Sequence, residues 1–312
     1  MSLEVFVLGT SGMMPLPGRF LTSALVRREG DLFLFDAGEG TQVSLKMLNL
    51  KWKKISAIFI SHIHADHVTG LPGILMLSSQ VDRTEPLYIF GPAKVGEYIE
   101  MSRSVLEMYI NYEIIFKAID NFQTSEILIE NDEYLIRSVP LKHTKPCLGY
   151  VIEEKERPGV FHPEKAKEFN VPVGPLWSKL QKGESVTNLD GENILPSQVL
   201  GEPRKGCKFS YITDTQYIES ISPEISGSDL VICESMFMDA LADSAKEKKH
   251  LTSKQAARIA LEAGNVGQLG LIHYSPRYTD WELKRLLKEA QSVFPNTFLT
   301  KDRQVIMLNN QD

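Results

Sequence analysis

The chain has 312 residues, 43% hydrophobic and 24% charged, a balance that excludes a disordered native state and allows one large or two modest domains. A formal net charge of −6 excludes a broadly basic nucleic-acid-binding face, so any RNA contact must be a local patch of Lys and Arg. Cys147, Cys207 and Cys233 stand far apart without a CxxC spacing, which argues against a disulfide framework or a thiolate zinc site and for buried thiols in a reducing cytosol.

In chain order, Met1-Ser2-Leu3-Glu4 lacks the basic and apolar parts of a leader, and no apolar run reaches the ~20 residues of a membrane span, so a cytoplasmic protein with no membrane partner is expected. Leu3 to Gly9 alternates with β-branched content and predicts a strand. Ser23 to Arg28 and Leu32 to Asp36 flank the turn Glu29-Gly30-Asp31 and predict a hairpin. A short helix is expected over Gly40 to Leu48, a buried strand at Ala57 to Ile60, helices over Leu71 to Ser79 and Val95 to Met108, and strands at Leu87 to Phe90, Tyr134 to Val139 and Gly149 to Glu153. From about Glu153 to Lys208 the apolar rhythm breaks and Pro, Gly, Lys and Glu dominate, the mark of a long functional or disordered insertion. Strands return at Phe209 to Thr213, Leu230 to Cys233 and Gly270 to His273, with helices at Ser253 to Ala263 and Trp281 to Val293. The order predicts layered α/β sheets with functional side chains at strand ends.

Directly after the Ala57 to Ile60 strand stands His62-Ile63-His64-Ala65-Asp66-His67. The chain has only seven histidines and three fall here, so a merely solvated turn is the weaker account. Imidazole and carboxylate are zinc donors that leave open positions at a catalytic ion. His62 and His64, two apart, suit one ion, and Asp66 and His67, beyond the turn, a second.

This H-x-H-x-D-H pattern resembles the metallo-β-lactamase superfamily, which implies an αββα sandwich binding two metal ions. The resemblance implies that His62, His64 and His143 hold one Zn2+, that Asp66, His67 and His273 hold the other, and that Asp214 bridges them, with Asp66 counted also among the catalytic groups. Each of His143, Asp214 and His273 follows an expected strand. Mn2+ or Fe2+ suit the same donors.

Further segments resemble ribonuclease Z. Phe35-Asp36-Ala37-Gly38-Glu39-Gly40-Thr41-Gln42 is similar to that family's F-D-x-G-E-x-T-Q, with Asp36 expected to accept a hydrogen bond from a ligand imidazole and fix its tautomer. Cys233-Glu234-Ser235-Met236-Phe237 stands where the family has H-E-A-T-F, and His250-Leu251-Thr252 where it has H-S-T. Glu234 would hold His250 protonated as general acid for the departing ribose 3′-oxygen. His273-Tyr274-Ser275-Pro276-Arg277-Tyr278 resembles H-x-S-x-R-Y, with Ser275 and Arg277 suited to phosphate. Val171 to Trp177, with Gly174 and Pro175, and then Lys179 and Lys182, looks like the tip of the family's tRNA-gripping arm, joined by Lys165 and Lys167.

The resemblance thus implies a single metallo-β-lactamase-like domain over residues 1–312 with a flexible arm inserted at 154–206, a homodimer, and a zinc-dependent endoribonuclease that removes 3′ trailers from precursor tRNA. Three segments depart from the family. Of the P-x-K-x-R-N loop expected near Met14 to Phe20 only Arg19 matches well, Ile212-Thr213 replaces Ser-Gly before Asp214, and Cys233 replaces a histidine. These departures put rejection of CCA-ending tRNA in doubt but remove no metal donor. A related hydrolase acting on a small phosphodiester or other ester, and a non-catalytic RNA-binding protein on the same scaffold, are the alternatives. His162 is expected to be a loop residue.

Overall fold

The computed structural model describes residues 2–309. Its strands are, in the first part of the chain, β1 (Ser2–Gly9), β2 (Ser23–Arg28), β3 (Asp31–Phe35), β4 (Ile55–Phe59), β5 (Leu87–Gly91) and β6 (Ile114–Ala118). β7 (Glu126–Glu130), β8 (Tyr134–Lys142), β9 (Pro146–Glu154) and the short β10 (Val186–Thr187) and β11 (Asn193–Ile194) follow. The last are β12 (Lys208–Ile212), β13 (Leu230–Glu234), β14 (Gln268–Ile272), β15 (Thr297–Leu299) and β16 (Val305–Asn309). Among the described residues they make two seven-stranded sheets, ordered β16-β1-β2-β3-β4-β5-β6 and β15-β14-β13-β12-β9-β8-β7, and a β10-β11 hairpin.

In each large sheet the half that carries helical crossovers is parallel, β3 to β6 and β12 to β15. Parallel strands need such crossovers and are covered on both faces, which is why Ile55–Phe59 and Leu230–Glu234 read as apolar runs rather than alternations. The helices Leu71–Gln80 and Ala93–Val105 join β4 to β5 and β5 to β6, and Ser253–Ala263 and Asp280–Gln291 join β13 to β14 and β14 to β15. Thr252 with Gln255, and Thr279 with Glu282, form reciprocal caps that satisfy the first free N–H groups of the last two helices, each worth about 1 kcal/mol.

Leu34, Ile58, Ile74 and Ile89 belong to one apolar core, on the helix-covered side of the first sheet, and Val231, Ala257, Leu271 and Leu286 to its counterpart on the second. Between the sheets lie aromatic rings. Phe35 meets Tyr150, Phe209 and Tyr211, and Phe59 meets Tyr150, with centroids 5.3 to 6.0 Å apart. Helices, sheet, sheet and helices therefore stack as an αββα sandwich. Sheet edges escape the period-two reading: β6 and β7 are largely half-buried or exposed, and β16 gains its place only by pairing with β1 at the opposite end of the chain.

Glu154–Gly206, with Asn131–Tyr134, forms a second compact unit. It holds the helices Pro163–Glu168, Pro175–Gln181 and Pro196–Val199, each with proline in its first turn, where the missing N–H costs nothing. Ala166, Val171, Leu180, Val186, Ile194 and Val199 make its own small core, against which Phe161 and Trp177 pack. The broken apolar rhythm of the sequence therefore belongs to short elements, too brief to show a helical period. Gly174, just before Pro175, has φ of 142°, a backbone region that side chains disfavour.

Candidate metal centre

β4 ends at Phe59, and the chain bends at Ile63 before His64 leads into the helix Ala65–Val68. This short stretch brings His62 Nε2 to 2.9 Å from His64 Nδ1. The turn into the helix then aims Asp66 and His67 elsewhere. His143, one residue past β8, sets its Nε2 3.2 Å from His64 Nδ1, so three ring nitrogens converge. His67 Nε2 and His273 Nε2 approach to 3.2 Å, with Asp66 Oδ2 3.3 Å from the latter.

Hydrogen bonds on the far side of the rings set the tautomers. His67 Nδ1 donates to Asp36 Oδ2 at 2.8 Å and His143 Nδ1 to the Lys249 carbonyl at 2.8 Å. Ser61 donates to Asp36 Oδ2, which leaves its oxygen to accept from His62 Nδ1 at 3.0 Å. The His62 and His143 rings then turn a bare Nε2 lone pair inward, and the His67 ring directs Nε2 at Asp214 Oδ1. Ring nitrogens and carboxylate oxygens crowded this closely suit a shared cation, and this all-nitrogen and oxygen donor set fits zinc. His273 Nδ1 has no such partner among the described residues.

Asp36 is used as a four-fold acceptor rather than in a local turn. It also takes the Ser61 N–H at 2.7 Å and the Tyr211 hydroxyl at 3.0 Å. Asp36, Lys249, His273 and Met13 all have φ between 54° and 66°, strained for residues with a Cβ at about 1–3 kcal/mol each. Each spends that strain at the centre: a carboxylate, a carbonyl and a ring are aimed inward, and the Met13 N–H donates to Asp66 Oδ2 at 2.7 Å. Sequence reading missed Ser61, Tyr211, Lys249 and Met13. Only Ser61, beside His62, carried a side-chain signal; the Lys249 and Met13 contributions are backbone atoms.

Asp214, just past β12, lies between the two groups. Its Oδ2 is 3.7 Å from His62 Nε2 and 3.7 Å from His143 Nε2, while its Oδ1 is 3.4 Å from His67 Nε2 and 3.2 Å from His273 Nε2. The donor atoms of His62, His64, His143 and Asp214 all lie within 4.8 Å of one another, and so do those of Asp66, His67 and His273.

Charge follows geometry. Burial holds the His62, His64 and His143 rings neutral, lowering each below its ordinary range. At His67 burial also works against the charged form but is outweighed by Asp214, Asp36 and Asp66, so its pKa rises well above the usual value. Burial would raise Asp214, yet His273, His67 and His250 hold it well below the carboxylate range. Three buried carboxylates that demand positive charge between them are an electrostatic fit for cations.

At the rim, His250 Nδ1 donates to Glu234, 3.0 Å from Oε1 and 3.2 Å from Oε2. Glu234, fully buried at the end of β13, also accepts the Thr215 N–H at 2.7 Å, next to Asp214. Burial opposes a charged His250, but Glu234 and Asp214 outweigh it and lift the ring to about 9.

The family model described as Anti-Pycsar protein Apyc1 matches residues 3–146. A ribonuclease Z of Treponema denticola is 61% identical over 312 residues, covering 100% of both chains. One of Borrelia hermsii is 47% identical over 99% of this chain and 98% of its own. The chain belongs to the ribonuclease Z family. Human short-form tRNase Z shares the fold, with a TM-score of 0.70 at 24% identity over 98% of this chain and 99% of that one. The metallo-β-lactamase fold protein YhfI from Bacillus subtilis follows at 0.68 and 20%, over 98% of this chain and 100% of its own.

As a ribonuclease Z the chain is a hydrolytic endoribonuclease, and the remaining expected residues take these places. Ser275 is buried two residues past His273, and its hydroxyl accepts from Arg277 Nε at 2.9 Å. The Arg277 guanidinium lies 5.1 Å over the Phe237 ring in an exposed residue, and its terminal nitrogens have no hydrogen-bond partner among the described residues. Arg19, in the divergent loop, donates to the Tyr278 carbonyl at 2.9 Å. Within the 154–206 unit, Gly174, Pro175, Lys165, Lys167, Lys179 and Lys182 are all exposed. His162 pairs there with Glu164 at 3.0 Å and joins neither donor group. Cys147, Cys207 and Cys233 are buried and form no disulfide among the described residues, with burial pushing Cys147 and Cys233 well above the ordinary thiol range. No helix among the described residues is long and apolar enough to cross a membrane.

Proposed function

We propose that the chain is a zinc-dependent endoribonuclease that removes the 3′ trailer from precursor tRNA, leaving a 3′-hydroxyl on the tRNA and a 5′-phosphate on the trailer. The observation that carries the reading is Asp214, with one oxygen toward each cluster of imidazoles and the His250–Glu234 pair beside it. Full-length identity to ribonucleases Z supports the substrate class.

In this reading His62, His64, His143 and Asp214 hold one zinc ion, and Asp66, His67, His273 and Asp214 the other. When bound, the pair supplies Lewis acidity that makes water nucleophilic at neutral pH and offsets charge on the phosphodiester. Asp36, Ser61 and the Lys249 carbonyl keep the donor rings in one tautomer. Ser275 and Arg277 orient the scissile phosphate. As a water oxygen bonds to phosphorus, releasing its proton to solvent, and the P–O3′ bond breaks, His250 gives its own proton to the departing 3′-oxygen, and Glu234 keeps that proton in place until then.

Incubation with precursor tRNAs with and without an encoded CCA, followed by mapping of the ends, is expected to give a single cut at the base of the trailer on at least one of them. No cut of either at any zinc loading would overturn the reading.

The 154–206 unit is read as the tRNA-gripping arm of a cytoplasmic homodimer, each arm serving the partner's centre. Its exposed Lys179 and Lys182 support phosphate contact. Reversing both (Lys179→Glu with Lys182→Glu) is expected to raise KM for precursor tRNA about tenfold at low salt with little change in kcat. Mixing that variant with Asp214→Ala should restore cleavage, because a mixed dimer carries one sound arm and one sound centre. Failure to complement would remove the trans arrangement.

A further inference from the structure

A cavity of about 540 Å³ is bounded by the loops of Thr10 and Tyr274, and its polar wall is made by Arg19, Lys284, Lys301 and Arg303. Its acids are Asp280 and Asp302, so cations outnumber anions in a protein whose net charge is −6. Asp302 is moreover committed: its two oxygens accept the Thr10 hydroxyl and the Phe20 N–H, each at 2.6 Å. The two lysines are under-used by comparison. Arg19 Nη2 reaches the Tyr278 carbonyl, and Arg303 lies 3.9 Å from Asp302 Oδ2 with its guanidinium 5.8 Å over the Phe20 ring. Lys284 and Lys301 are exposed and make no ion pair among the described residues. Tyr274, Leu283 and Leu299 add an apolar wall.

The cavity and the centre share their partition. Thr10 accepts the Tyr274 N–H at 2.9 Å, and the Tyr274 carbonyl accepts the Gly12 N–H at 3.0 Å, which ties the two loops edge to edge. Gly12 packs so closely on the centre that a Cβ there would meet the His273 ring at 2.6 Å. Thr10 and Tyr274, from the same loops, line the cavity. The basic recess is thus one residue from a donor of the centre, since Tyr274 follows His273.

We propose that this cavity is a further phosphate subsite, which takes a backbone phosphate of the precursor RNA a few nucleotides from the scissile bond. The assignment rests on the ribonuclease reading above. A recess lined by two arginines and by two lysines that make no ion pair among the described residues suits a phosphodiester, whose oxygens accept several donors at once. Its contribution is to KM and to the register of the strand.

The test compares wild type, the double variant Lys284→Gln with Lys301→Gln, and the distant control Lys94→Gln, on a trailer-bearing precursor over a series of salt concentrations. The double variant is expected to raise KM about tenfold at low salt, keep kcat within about twofold, and flatten the slope of log KM against log salt by roughly one to two. The control should track wild type. Calorimetric titration with a short oligoribonucleotide and with inorganic pyrophosphate gives a readout that does not depend on cleavage. Oligoribonucleotide affinity should fall in the double variant by a similar factor. Unchanged KM, slope and oligoribonucleotide affinity would overturn the subsite, as would a parallel fall of kcat and melting temperature, which marks a structural role. Binding of pyrophosphate lost in the variant, with RNA affinity unaltered, would assign the cavity to a free anion instead. A wild type that binds the oligoribonucleotide through these lysines yet cuts no precursor would fault the ribonuclease reading and leave the subsite standing.

Discussion

Replacing Asp214 by alanine is expected to lower kcat for precursor cleavage on the order of 10³-fold or more and to drop zinc content from about two per chain to one or fewer. Among the described residues no other side chain presents an oxygen to both groups of imidazoles, at 3.7 Å on one side and 3.2 to 3.4 Å on the other. Its removal takes one donor from each group and leaves His62, His67, His143 and His273 without the buried anion between them. Elemental analysis and single-turnover cleavage measure both effects. Asp214→Asn sharpens the test, since it keeps the volume and one carbonyl oxygen but gives up the charge that opposes like-charged ions. Full zinc content in Asp214→Ala with kcat within tenfold of wild type would refute the bridging role.

The second large effect concerns pH. His250 acts as an acid only while protonated, so activity that depends on it is present below its pKa and lost as pH rises through it. With the ring lifted to about 9, the alkaline limb of kcat should fall there. In Glu234→Gln the amide still fills the space and can accept from Thr215, but the neighbouring negative charge is gone. The limb is expected to move down by about one to two units toward the ordinary imidazole range, costing about tenfold at pH 8 and under about threefold at pH 6. His250→Ala should lose about 10²- to 10⁴-fold at every pH and show no such limb. A Glu234→Gln profile that merely drops in height, with its alkaline limb unmoved, would detach the glutamate from proton donation.

Strong periodic segments were legible in the sequence because their physics is local. β1 to β5, β8, β9 and β12 to β14 carry apolar runs or alternation, and the helices Ser253–Ala263 and Asp280–Gln291 carry a 3.6-residue period with threonine caps. β6, β7 and β16 were not, since an edge strand buries too little to write its face into the residues. The helices of the 154–206 unit were hidden for a different reason. Ala166, Val171, Leu180 and Val199 lie at irregular intervals and become a core only when three short helices and a hairpin converge.

By itself the sequence showed the layered α/β pattern and the H-x-H-x-D-H cluster, and its resemblance implied the sandwich and the remote companions His143, Asp214 and His273. The residues from His62 to His67 share one strand end, and two-residue and helical spacing dictate which way each side chain points. What only the tertiary structure decided is how the remote groups are aimed. Asp214 divides its oxygens between two clusters because β4, β8, β12 and β14 end at one rim. His250 takes its charge from Glu234, 16 residues away, because β13 buries that carboxylate beside it. Tautomers depend on Asp36, Ser61 and the Lys249 carbonyl, and the last is a backbone atom held by a strained φ of 54°. Such atoms leave no trace in residue identity, since every residue has a carbonyl and only the packed fold determines where it points.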